Sequence, residues 1–120
     1  MKISVERDIL LKSLNHIQSV VERRNTIPIL SNLIIIANNE GISLTATDLD
    51  LEIIESLDKA NTIEDGEITT SAHTLYDIVR KLPEGSSLDL VTKDNDKLEL
   101  SCGQSNFELS TLPVEDFPEM

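Results

Sequence analysis

A chain of 120 residues with 39% apolar side chains can bury a core as one domain, and it is too apolar for wholesale disorder. Its single cysteine, Cys102, excludes an internal disulfide, and the lack of a leader pattern or long apolar run predicts a reducing, cytoplasmic compartment and no membrane. A formal net charge of -12 argues against an ordinary nucleic-acid binder, and three aromatics (Tyr76, Phe107, Phe117) offer no platform for stacking single-stranded bases.

Lys2 to Val5 alternates and predicts a short strand. Leu10, Leu14, Ile17 and Val21 then recur at helical spacing, with Ile9 and Val20 widening the stripe, so a helix is predicted that ends near Val20 or Val21. Asp8, Lys12, Asn15 and Ser19 occupy its other face, with His16 beside them. A polar link, Arg23-Arg24-Asn25-Thr26, leads to Pro28, which disfavours a helix interior. Ile29 to Ile36 is dense in β-branched residues and predicts a strand buried on both faces. Asn38 to Gly41 supplies a turn. Ile42, Leu44 and Ala46 then alternate with Ser43, Thr45 and Thr47, as in a half-buried antiparallel strand. After Asp48, residues Leu49, Leu51 and Ile53 predict a third strand of a meander ending near Lys59, and Asn61 to Asp65 predicts an acidic connection.

Gly66 to Thr70 reads as a further strand, Ser71 as an N-cap, and Leu75, Ile78, Val79 and Leu82 as the apolar stripe of a second helix stopped by Pro83 and Gly85. Three alternating strands follow, marked by Leu88 and Leu90, by Leu98, Leu100 and Cys102, and by Phe107, Leu109 and Thr111. The order strand, helix, strand, strand, strand thus occurs twice, over about residues 1–60 and 63–118, as a repeat of pattern without clear residue identity. An α+β fold follows, with two βαβββ units and both helices packed on one side of antiparallel sheets. That arrangement brings Lys12, Arg24, His73, Arg80 and Lys81 to a common outer surface. Charge supports it: Arg7 to Arg24 holds four cations and two acids, and Ser71 to Lys81 two cations and one acid, within a strongly acidic chain.

Catalytic readings are weak. Asp48, Asp50 and Glu52 fall at i, i+2, i+4 and would share one face of a strand, where they could hold a hard divalent cation for a metal-dependent hydrolase. The plainer reading is the solvent face of an alternating strand. His16 and His73 read as surface histidines without metal-ligand spacing, and Cys102 as a packed thiol. Neither a nucleophile elbow nor a glycine-rich phosphate loop occurs. An acidic protein–protein adaptor is a further alternative.

Four segments in this element order, P-I-L-S-N-L (28–33), L-T-A-T-D-L-D (44–50), L-P-E-G (82–85) and S-T-L-P-V-E-D-F-P (110–118), resemble the first domain of bacterial sliding clamps, the beta subunits of DNA polymerase III. The resemblance runs through the whole chain. It implies a DNA-clamp fold and a processivity role without catalysis or cofactor. Such subunits have three domains and pair head to tail into a ring around duplex DNA, helices inward. It further implies that the polymerase and the clamp loader bind through later domains not present in this sequence. By position, Arg24 matches a DNA-contacting arginine, and His73 stands where many relatives carry a DNA-contacting arginine. Lys12, Arg80 and Lys81 are further candidates by helix location. The strand Asn106 to Thr111, with Phe107 and Leu109, resembles the edge that meets the partner subunit.

Overall fold

Alternation sets the strands and a wider apolar stripe sets each helix. The computed structural model describes residues 1–94 and 96–118. In chain order it contains β1 (Lys2–Glu6), α1 (Arg7–Gln18), β2 (Asn32–Asn38), β3 (Gly41–Thr47), β4 (Glu52–Leu57) and β5 (Asn61–Glu64). Then come β6 (Gly66–Ser71), α2 (Ala72–Val79), β7 (Ser87–Lys93), β8 (Lys97–Cys102) and β9 (Ser105–Leu112). Short 3-10 turns occupy Pro28–Ser31 and Val114–Asp116. The element order strand, helix, three strands occurs twice, with β5 between the copies.

The strands pair antiparallel in the order β4-β3-β2-β6-β9-β8-β7-β1-β5. Each half lends its first strand to the other: β1 lies against β7, and β6 lies against β2. A meander of one half is therefore completed by the other, which explains why neither half could bury its apolar face alone. The seam between the two meanders is short, with Thr69 opposite Leu112 and Thr70 opposite Thr111.

Inward-facing residues of both meanders, including Leu33, Ile35, Leu44, Leu88, Leu90, Leu98 and Leu100, are wholly buried. Leu10, Leu14 and Ile17 of α1 and Leu75 and Val79 of α2 close over them. At roughly 1.5–3 kcal/mol per fully buried aliphatic side chain, this shared core is the main stabilising term. Ser71 caps α2 as predicted, accepting from the Thr74 N–H at 3.2 Å.

Four expectations need correction. The apolar run from Ile29 does not begin as strand: Pro28 opens a 3-10 turn that buries Ile29 and Leu30, and β2 starts at Asn32. Proline's fixed φ and missing N–H suit the first position of such a turn, and burial is satisfied either way. Leu49 and Leu51 are half exposed instead of starting a strand. Asp48 Oδ1 accepts from the backbone N–H of Asp50 at 3.0 Å and of Leu51 at 2.7 Å, and Leu49 takes φ 81. This Asx-type turn delays β4 to Glu52. Asn61 to Asp65 is not merely a connection: Asn61–Glu64 forms β5 and pairs along the outer edge of β1. An edge that would otherwise present free N–H and C=O groups is thereby covered. Finally, β9 is an edge only over its first part, because Thr111 and Leu112 pair with β6.

Candidate nucleic-acid interface

The two helices run antiparallel and side by side, and three contacts mark their length. At one end Arg7, the first residue of α1, is buried and donates from Nε to the Val79 carbonyl at 3.2 Å and from Nη2 to the Arg80 carbonyl at 3.0 Å. Midway, the Tyr76 hydroxyl donates to Asn15 Oδ1 at 3.4 Å. At the other end His73, near the start of α2, donates from Nε2 to the Val21 carbonyl at 2.6 Å. Since a carbonyl only accepts, that ring nitrogen carries the hydrogen. Arg7 thus reaches the carbonyls at the end of α2, and His73 reaches the chain just after α1. A guanidinium at the negative end of α2 is electrostatically favourable as well as hydrogen-bonded.

His73 is consequently 8% exposed, which corrects its assignment as a surface histidine. Its ring faces the chain after α1 instead of a ligand outside. His16, by contrast, is on the surface and meets Glu55 of β4 at 2.9 Å.

The other predicted cations are exposed. Lys12 and Arg80 line a common groove of about 360 Å³ between the helices, together with Asn15 and Tyr76. Arg80 lies over the Tyr76 ring, 5.7 Å from its centroid, a cation–π distance that restrains the guanidinium. Lys81 is on the far side of α2, beside a hollow lined by Thr74, Asp77, Ile78, Leu82 and Phe107. Arg24 is exposed in the link after α1. Among the described residues, Lys12 and Arg24 form no ion pair.

Two charged residues not singled out from the sequence shape this surface. Arg23 Nη1 pairs with Asp77 Oδ2 at 2.9 Å, and Arg80 Nε lies 3.4 Å from Asp77 Oδ1. The Arg23 hydrogen bond holds the Asp77 carboxyl below the usual carboxylate range, with burial acting in the opposite direction. Arg23 and Asp77 are distant in sequence, so no local spacing announces the pair. Arg7 did leave a signal: a cation in the first turn of a helix opposes the dipole, so it must be engaged elsewhere.

Residues 7–25 and 72–85 hold six of the ten cations but only four of the twenty-two acids. The remainder of the chain has four cations and eighteen acids, so the helical side differs sharply in charge from the sheets.

Neither the metal-site reading nor a partner contact through Leu109 fits the geometry. Asp48 is consumed by its own turn, Asp50 lies in that turn and only Glu52 is in a strand, so the three carboxylates share no strand face. No cluster of metal-ligating side chains occurs among the described residues. Leu109 is 3% exposed because it faces inward opposite Leu98, so its side chain cannot meet a partner. Phe107, inward-facing at the free part of β9, is only half-buried and borders the hollow under α2. No helix is long and apolar enough to cross a membrane.

A family profile described as DNA polymerase III beta subunit, N-terminal domain, matches residues 1–120. The beta sliding clamp of Caulobacter vibrioides is 52% identical over 121 residues, covering 100% of this chain and 32% of that protein. That of Vibrio harveyi is 36% identical, covering 100% of this chain and 82% of that sequence. Among solved structures, the Caulobacter crescentus DNA polymerase sliding clamp superposes with a TM-score of 0.94 over 100% of this chain and 32% of that one. The Bartonella birtlesii clamp, 49% identical, superposes at 0.91 over 100% of this chain and 34% of its own. The chain spans about a third of the length of the Caulobacter relative. With a profile match along its whole length and a superposable fold, the chain belongs to the DNA polymerase III beta subunit family, in the region of its N-terminal domain.

Proposed function

We propose that this chain is the first domain of a bacterial sliding clamp, turning its helical face toward duplex DNA and tethering a replicative polymerase without catalysis of its own. The observation that carries this reading is the placement of Lys12, Arg24, Arg80 and Lys81 on the helical side of an otherwise acidic body. Two further domains and a head-to-tail partner would complete the ring, in the cytoplasm where the chromosome is copied. Phe107 beside the free part of β9 would contribute to the subunit contact, and the polymerase and clamp loader would engage the other domains.

The physics suits sliding. Few free cations give weak attraction to phosphates without base readout, and that attraction falls steeply with salt. Helices lying across the grooves instead of inserting into them leave base edges unread. Acidic sheets repel DNA from the outside of the ring. The test uses the whole clamp loaded on plasmid. Retention on closed circular DNA with loss from the linearised form is expected, and equal retention on both would contradict encirclement.

A further inference from the structure

The link between α1 and β2 carries Arg24, and it has no regular secondary structure before Pro28. It is nevertheless fastened at successive points. The Val21 side chain is buried, and its carbonyl accepts from His73 Nε2 at 2.6 Å. Arg23 is held by Asp77 at 2.9 Å. The Asn25 N–H donates to Ser31 Oγ at 3.0 Å, and Asn25 Oδ1 accepts from the Ile27 N–H at 3.0 Å. Arg24 is the cation of this link whose side chain remains exposed and unpaired among the described residues.

The two anchors on α2 hold two points of the link. His73 and Asp77 are four apart, hence on one helix face and separated by about 6 Å along the axis. Val21 is held through its backbone carbonyl and Arg23 through the end of its side chain. One face of α2 therefore fastens the link at both points.

We propose that His73 and Asp77 are positioning residues that fix the Arg23–Arg24 segment on the helical face, so that Arg24 is presented to phosphate in one orientation instead of sampling many. Pre-organisation lowers the ordering cost of contact, which counts most where attraction is weak. What Arg24 meets rests on the clamp reading; the anchoring does not.

The experiment measures both separately. Backbone ¹⁵N order parameters for Glu22 to Asn25 are compared in the wild type and in His73→Phe, His73→Gln and Asp77→Asn, with urea midpoints confirming that each variant is folded. His73→Phe keeps a buried ring but lacks the donor, whereas His73→Gln retains an N–H at similar reach. The expected result is a fall from about 0.8 to below about 0.6 in His73→Phe and Asp77→Asn, with recovery in His73→Gln. Unchanged order parameters in both, or no difference between the Phe and Gln variants, would overturn the proposal. In the whole clamp, Asp77→Asn removes a negative charge from the helical face, so electrostatics alone predicts tighter DNA association. Positioning predicts weaker association, by about threefold or more at low salt, and tighter association would overturn it. Arg24→Ala tests the clamp reading on its own: if DNA association ignores Arg24, that reading loses its contact, and the order parameters still decide the anchoring.

Discussion

Arg7→Leu isolates the cross-helix clamp. Leucine keeps most of the buried volume, so a cavity does not confuse the result, but it removes both donors to the end of α2. Each hydrogen bond from a charged donor is worth about 1.5–3 kcal/mol. The two losses do not simply add. The Val79 carbonyl keeps the Leu82 N–H at 3.1 Å, and Arg80 is exposed, so water can reach its carbonyl. The expected loss is therefore about 2–3 kcal/mol, near the worth of one such bond, or about 10 °C in Tm for a domain of this size. Asp8→Ala is the control. Asp8 pairs with Arg7 at 3.1 Å, but its side chain is 54% exposed, so its removal should cost less than about 1 kcal/mol. Urea unfolding followed by circular dichroism reads both, with an unchanged m-value confirming the same transition. If Arg7→Leu lies within about 0.5 kcal/mol of wild type, or loses no more than Asp8→Ala, the clamp is incidental and its bonds to α2 do not stabilise the helix pair.

Three other outcomes follow from the geometry. Leu14→Ala, at a wholly buried site in α1, should lose about 3–5 kcal/mol by urea unfolding, the range for a cavity that cannot collapse. Because Asp77 has a lowered pKa in the folded chain, its pairing stabilises above the unfolded carboxyl pKa, and that stability is lost as pH falls through the folded value. Wild type and Asp77→Asn should thus differ in urea midpoint at pH 7, and the difference should vanish once the pH has fallen through the lowered pKa of Asp77. In the whole clamp, Lys12→Ala and Arg24→Ala should each flatten the slope of log K against log salt by about 0.9 if each removes one phosphate contact, whatever the DNA sequence.

The parts legible in the sequence were those set by local period. Alternation placed β3, β7 and β8, and the stripe Leu10, Leu14, Ile17 placed α1 and its buried face. The duplication of element order was equally visible. Local period says nothing about competing uses of a side chain. Asp48 looked like a strand residue until its carboxylate was seen closing its own turn, and Leu49 and Leu51 mimicked alternation while remaining exposed. Burial of His73 depends on how α2 sits beside the end of α1, a relation no spacing within α2 contains. Leu109 shows the same limit: alternation gave its face correctly, but only the closed sheet shows that this face is covered. The exposure of Lys12 and Arg80 was legible, because cations opposite an apolar stripe need only the helix period to place them on the surface.

The most direct test asks which side of the domain meets DNA. A photo-crosslinking side chain is placed at position 12 or 80 on the helical face, and in a third variant at position 89. Asp89 lies between the buried Leu88 and Leu90 and so projects from the outer face of β7. In the whole clamp loaded on circular DNA, positions 12 and 80 should crosslink to DNA across many sequences and position 89 should not. Crosslinking from position 89 as strong as from position 12 or 80 would contradict the account.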